Sequence, residues 1–439
     1  MRVILLTSLF YPEIGANAKR MTHLAEDLQK RGDEVIVVTA FPYYTNKTLP
    51  QEYKGKFISL ESYKGIKVIR TFTYLPSSKT PLRRLLTFSS FMLSSVFALL
   101  YLKGRYDLLI TISPPLFSGV SAFIISRLKR IPFIFDLQDI YPETAVSLGV
   151  LKDGFTLSLA QGLERFIYRK AEAISVISSG FKDNLRKKGV PDRKVHIIPN
   201  WVDIELFNPE FKDDLSAGSP VYRASGRERT AEAGPSAGLA AEAGKIRKEL
   251  NLDNKFVVMF AGNLGLAQGL QTLVKCAKLL RENKDIEFVF VGEGVERENL
   301  VNLIKKYSLS NLRFISGQPN KKMPAYLSLA NVCLAHLRRG EIWKMTIPSK
   351  IYEYMAMGKP IIIGVDGEAK RLIESANCGV YVQPEDPERL SKAILKLYKD
   401  KQLCFEYGKR GRSYVRKNYS RRKIVDEYIS VVTKIGGRE

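Results

Sequence analysis

One pattern recurs along this chain and leaves few folds open. A short apolar run ends in a glycine- or proline-bearing loop, and a helical stretch follows. Met1-Arg-Val-Ile-Leu-Leu-Thr7 leads through Gly15 into Ala18–Leu28, where Met21, Leu24 and Leu28 form one stripe, and Glu34–Thr39 is the next strand. Far downstream, Lys255–Gly262 leads through Asn263-Leu-Gly-Leu-Ala-Gln-Gly-Leu270 into Leu273–Leu280, then Ile286–Val291. Leu312–Gln318 and Asn331–His336 repeat the theme. Strand–loop–helix–strand units predict an α/β fold with doubly wound parallel sheets, which bind ligands beyond the carboxyl ends of their strands. His336 ends an apolar run and reads as structural.

The stretch Thr346-Ile-Pro-Ser-Lys-Ile-Tyr-Glu-Tyr-Met-Ala-Met-Gly-Lys-Pro360 carries the strongest chemical signal. Pro348 and Ser349 are helix-start signals, and Gly358 and Pro360 are stops. Ser349, Lys350 and Glu353 share a face, and Pro360–Val365 reads as a buried strand. A helix start beside a lysine and a carboxylate suits a phosphorylated, hydroxyl-bearing ligand: Lys350 for phosphate, Glu353 for a ribose. A capped, solvated surface helix is the competing reading. The glycine loops at Gly15, at Gly262, Asn263, Gly265 and Gln268, and at Gly317 are candidate ligand approaches. Pro132–Glu143 reads as a strand that ends in Asp136, Asp139 and Glu143, carboxylates placed where such a sheet does its chemistry; helix capping is the alternative for Asp139.

The 69 Lys and Arg against 45 Asp and Glu give a net charge of +24. Such an excess asks for an anionic partner. No nucleic-acid module is legible, which leaves a nucleotide and an anionic membrane surface. Leu85–Leu102 holds no charge and is flanked by Lys79, Arg83, Arg84, Lys103 and Arg105. It stands at the edge of spanning length; an interfacial helix is preferred over a span, with a core helix as the alternative. The four cysteines are widely spaced and read as reduced interior residues of a cytosolic protein. Met1–Thr7 is too short for a leader. Residues 213–244 are rich in Gly, Ala, Ser and Pro and are expected to form a flexible linker.

Taken in order, Tyr11-Pro-Glu-Ile-Gly15, Asp136-Leu-Gln-Asp-Ile-Tyr-Pro-Glu143, Ile198-Pro-Asn-Trp-Val-Asp203, Ala261-Gly-Asn-Leu-Gly265 with Gln268-Gly269, Pro348-Ser-Lys-Ile-Tyr-Glu-Tyr354 and Asp366-Gly-Glu368 resemble the retaining GT-B glycosyltransferases of family GT4. More narrowly, they are similar to the branch that adds amino sugars of the N-acetylfucosamine type in O-antigen or capsule synthesis. The similarity covers the chain outside 213–244. It implies two Rossmann-like domains facing a cleft: an acceptor domain over 1–212 and a sugar-nucleotide domain over 245–400, with C-terminal helices at 401–439 crossing back.

The resemblance also implies site roles. The donor falls to Gly15, Gly262, Asn263, Gly265, Gln268, Gly317, Arg338, Ser349, Lys350 and Glu353, and catalysis to Asp139 and Lys350. Lys19, Arg20, Arg83 and Arg84 go to the acceptor and membrane. Three departures matter. Met345 stands where the family has the first glutamate of a Glu-x7-Glu pair whose second is Glu353. Asn263 and Gln268 stand where it has phosphate-binding cations, so Lys350 and Arg338 must supply that charge. Gln138 stands where it has a histidine. The implied reaction is front-face transfer with retention, from a UDP-sugar to a polyprenyl-diphosphate-linked saccharide, with no metal or cofactor, at the inner face of the plasma membrane. A nucleotide-sugar epimerase of the same fold and a non-catalytic scaffold are the rivals.

Overall fold

The computed structural model describes residues 1–43, 49–76, 81–151, 154–209 and 235–437. They form two units, Met1–Pro199 with Arg422–Glu439, and Asn200–Arg421. In the first unit the elements are β1 (Arg2–Thr7), α1 (Ala16–Lys30), β2 (Glu34–Ala40), β3 (Ile58–Tyr63), β4 (Ile66–Thr71), α2 (Pro81–Leu100), β5 (Leu108–Ser113), α3 (Phe117–Lys129), β6 (Phe133–Leu137), α4 (Glu143–Ser147), α5 (Phe155–Lys170), β7 (Ala173–Val176), α6 (Ser179–Lys187) and β8 (Val195–Ile197). The second unit holds α7 (Pro235–Glu249), β9 (Phe256–Ala261), α8 (Gln271–Leu279), β10 (Ile286–Val291), α9 (Arg297–Lys306), β11 (Leu312–Ile315), α10 (Met323–Ser328), β12 (Val332–His336), α11 (Glu341–Lys344), α12 (Lys350–Ala356), β13 (Ile361–Gly364), α13 (Glu368–Ala376), β14 (Gly379–Tyr381), α14 (Pro387–Lys399) and α15 (Lys401–Asn418). The last helix, α16 (Arg421–Gly436), belongs to the first unit from Arg422 onward.

The first sheet runs β3-β4-β2-β1-β5-β6-β7-β8, parallel except for the β3–β4 hairpin. The second runs β11-β10-β9-β12-β13-β14 and is parallel throughout. Central strands such as β5 (Leu-Leu-Ile-Thr-Ile-Ser) and β9 (Phe-Val-Val-Met-Phe-Ala) are buried along their whole length, because helices cover both faces. Each order reverses once, between β1 and β5 and between β9 and β12, the switch points beside which sheets of this kind place their ligands.

Three expectations are corrected. The unit boundary falls at Pro199 rather than after residue 212, and α15 stays with the second unit, so only the final helix joins the first. Pro235–Gly244, assigned to a flexible linker, is the start of α7. An alanine-rich stretch that reads as low complexity is also the best helix former, and Pro235 suits a first turn. The rest of the expected linker, together with Lys79 and the Arg84 side chain, lies outside the described residues. The four cysteines are unpaired and buried, as expected. Among the described residues no helix is long and apolar enough to cross a membrane.

Candidate active site

In the second unit the loops after β9 and β10, beside the switch point, pack backbone against backbone. Gly262 donates to the Val291 carbonyl and Leu264 to the Glu293 carbonyl, at 2.9 and 2.8 Å. A Cβ on Gly292 (φ 152°) would sit 2.0 Å from the Gly262 carbonyl oxygen, and one on Gly294 2.2 Å from that of Leu264. Only glycine lets these loops touch. Gly292→Ala is therefore expected to destabilise the protein by about 2–4 kcal/mol, read as a lowered Tm and denaturant midpoint.

Lys350, the first residue of α12, reaches this loop. Its ammonium donates to the Gln268 side-chain oxygen at 3.0 Å and lies 3.7 Å from the Phe260 ring centroid. A Cβ on Gly262 (φ 139°) would meet that ammonium at 3.0 Å, so the missing side chain makes its room. Burial lowers the Lys350 pKa to about 7 against the opposing pull of Glu353. A half-buried cation with a displaced pKa beside a switch point is a functional-site signature. Helix α12 is held there by Tyr354, whose hydroxyl donates to the Ala261 carbonyl at 3.0 Å and accepts from the Ala261 N–H at 2.9 Å.

Beyond β12, His336 joins two loops. Its Nδ1 donates to the Gln268 carbonyl at 2.7 Å, and its Nε2 accepts from the Glu385 N–H at 3.0 Å. Both bonds require the neutral Nδ1–H tautomer, and burial of the ring lowers its pKa. Arg338 donates its backbone N–H to Ala267 at 2.8 Å and pairs with Glu385 at 3.9 Å. The structure thus gathers Gly262, Gln268, Lys350 and Arg338. Asn263 is exposed and lies against Gly265. Ser349 precedes α12 in helical conformation and makes no side-chain cap bond, unlike the expected start signal. Gly317 neighbours Glu293 rather than Lys350, at an ordinary contact distance.

In the first unit, Gly15 caps α1 at φ 143°, in the loop after β1. Asp136, at the carboxyl end of β6, is fully buried. It accepts from Arg20 Nε at 2.6 Å and from Gln138 Nε2 at 2.7 Å. Arg20 also donates to the Ile198 and Pro199 carbonyls, both at 3.1 Å. At 2% exposure it cannot meet a membrane, which corrects its assignment to that surface. A guanidinium with buried acceptors on every side is a structural clamp. Lys19 is half-buried and Arg83 exposed. Asp139 has no hydrogen-bond or ion-pair partner among the described residues, and burial alone raises its pKa to about 7.

No local sequence signal marks Phe260, Tyr354 or the bracing role of His336. The partners of Tyr354 and His336 lie 93 and 68 residues away, beyond any local spacing rule.

Two family models match the chain: a glycosyl transferase 4-like domain over residues 15–201 and glycosyl transferases group 1 over 242–414. The protein assigned as the colanic acid biosynthesis glycosyl transferase WcaI of Escherichia coli K12 is 28% identical over 425 residues, covering 93% of this chain and 96% of its own. The alpha-D-kanosaminyltransferase of Streptomyces kanamyceticus is 24% identical over 330 residues, 73% of this chain and 75% of its own. The crystal structure of Anabaena HepE with UDP-glucose has the same fold, with a TM-score of 0.70 at 18% identity over 98% of this chain and 99% of that one. With one matched module on each of two Rossmann-like parallel sheets, the chain belongs to the GT4-type glycosyltransferases of the GT-B fold.

Proposed function

We propose that the protein moves a sugar, in our reading an N-acetylated amino sugar, from a UDP-linked donor to a polyprenyl-diphosphate-linked saccharide. Transfer proceeds with retention and needs no metal. The observation that carries this reading is the Lys350 ammonium at the β9/β12 switch point, braced by Gln268 and facing the glycine loop. A half-buried cation there stabilises the departing diphosphate, the principal task of front-face transfer. Glu353 takes the ribose and Asp139 orients the acceptor hydroxyl. The relatives support the choice: one is assigned to colanic acid biosynthesis, one is an alpha-D-kanosaminyltransferase, and a protein of the same fold was crystallised with UDP-glucose.

The test is UDP release from a panel of nucleotide sugars, with and without a polyprenyl-diphosphate saccharide. Acceptor-dependent release is expected. Release with an epimerised free sugar and no acceptor would favour the epimerase. Tight binding without turnover would leave a scaffold.

The membrane reading draws on α2. Ser94 and Ser95 face inward: Ser94 donates to the Phe72 carbonyl at 2.6 Å, and Ser95 bonds Ser121 at 3.1 Å. Its outer face is apolar, with Leu86 47%, Leu93 65% and Phe97 44% exposed, while Phe91, Ala98 and Leu99 pack inward. Phe57 stands 5.6 Å from Phe97 and extends the apolar face. A helix that keeps an exposed apolar face suits the headgroup boundary of a cytoplasmic membrane face, with Arg83 and Lys103 as basic anchors. Replacing Leu86, Leu93 and Phe97 together by glutamate is expected to weaken binding to anionic vesicles about tenfold or more in a flotation assay. Unchanged flotation by a folded triple variant would refute it.

A further inference from the structure

We propose that Gln268 is a positioning residue for the Lys350 ammonium and not itself a ligand of the donor phosphates. The proposal rests on the donor-site reading above and assigns a task within it.

The Gln268 side-chain oxygen is already engaged by Lys350 at 3.0 Å. Its main chain is pinned from both sides. Its N–H donates to the Gly265 carbonyl at 3.0 Å, and its carbonyl accepts from His336 at 2.7 Å. His336 is in turn braced by the Glu385 N–H at 3.0 Å. Gly269 follows at φ 56°, where a Cβ would lie 3.0 Å from the His336 ring. The amide therefore projects from a rigid base.

The lysine is the flexible partner. Its four-carbon stem carries considerable rotamer entropy, which a ligand would have to freeze. Phe260 supports the ammonium from one side and Gln268 holds one of its three donors, leaving two for a diphosphate. Preorganisation of this kind raises affinity by removing the ordering cost before the ligand arrives.

The test is a double-mutant cycle read by calorimetry with UDP and, separately, with uridine. Gln268→Met is expected to weaken UDP about tenfold and leave uridine unchanged, because the effect runs through a cation that only the phosphates meet. In a Lys350→Met background the same substitution should have no further effect on UDP. Additive losses in the double variant would mean that Gln268 touches the phosphates itself, and the proposal falls. Weakened uridine binding would mean a collapsed loop and would equally overturn it. If Lys350→Met alone leaves UDP affinity intact, the donor-site reading fails instead.

Discussion

Lys350→Met lowers kcat/KM for the nucleotide-sugar donor by about 10²–10³-fold, the loss typical of one preorganised group at a developing anion. Methionine keeps most of the stem and its packing on Phe260 and removes the charge. The fold is therefore expected to survive, and circular dichroism with Tm checks that. The pH dependence follows from burial. The free ammonium has its pKa at about 7, and a bound diphosphate raises it by supplying the missing counter-charge. UDP binding accordingly takes up a proton near and above neutrality. Affinity is greatest below pH 7 and declines as pH rises through 7 to 9. Calorimetry in buffers of different ionisation enthalpy measures that uptake directly. Wild-type turnover by Lys350→Met at low donor concentration would remove the residue from the site.

Asp139→Asn combines lost turnover with gained stability. Orientation of the acceptor hydroxyl is worth about 10²-fold or more in kcat, which steady-state assays at saturating donor will show. The stability change has the opposite sign. Burial raises the carboxyl from 3.8 to about 7, so across that interval the native state holds a proton that the unfolded chain has released. Wild-type stability therefore falls as pH rises from about 4 to 7, and the burden stays constant above. The asparagine variant escapes it. Its Tm advantage should be absent near pH 4, grow to pH 7 and level off beyond. A less stable variant at pH 8 would show that Asp139 is an ordinary structural acid.

Much of the fold is legible in the chain itself. Parallel strands buried on both faces are written as continuous apolar runs, so β1, β5, β9 and β13 stand out. Lys350 and Glu353 are legible because a helix start and one turn are local. Arg20 and Asp136 are not. They are 116 residues apart, and a solvated lysine or arginine looks the same in sequence as a buried, paired one. The α2 stretch shows the same limit: Leu85–Leu102 reads only as an uncharged run, yet Ser94 and Ser95 within it are bonded inside the fold.

The amino-acid sequence alone determined the alternation of strand and helix, the glycine loops and the charged turn at 349–353, since each depends on neighbours within a few residues. Only tertiary packing decided that Lys350 lies on Phe260 and Gln268, that Tyr354 ties α12 to β9, and that Arg20 is spent on Asp136 while Asp139 has no partner among the described residues. Those outcomes depend on which side chains burial brings together and strips of water, and burial is a property of the assembled sheet rather than of any segment.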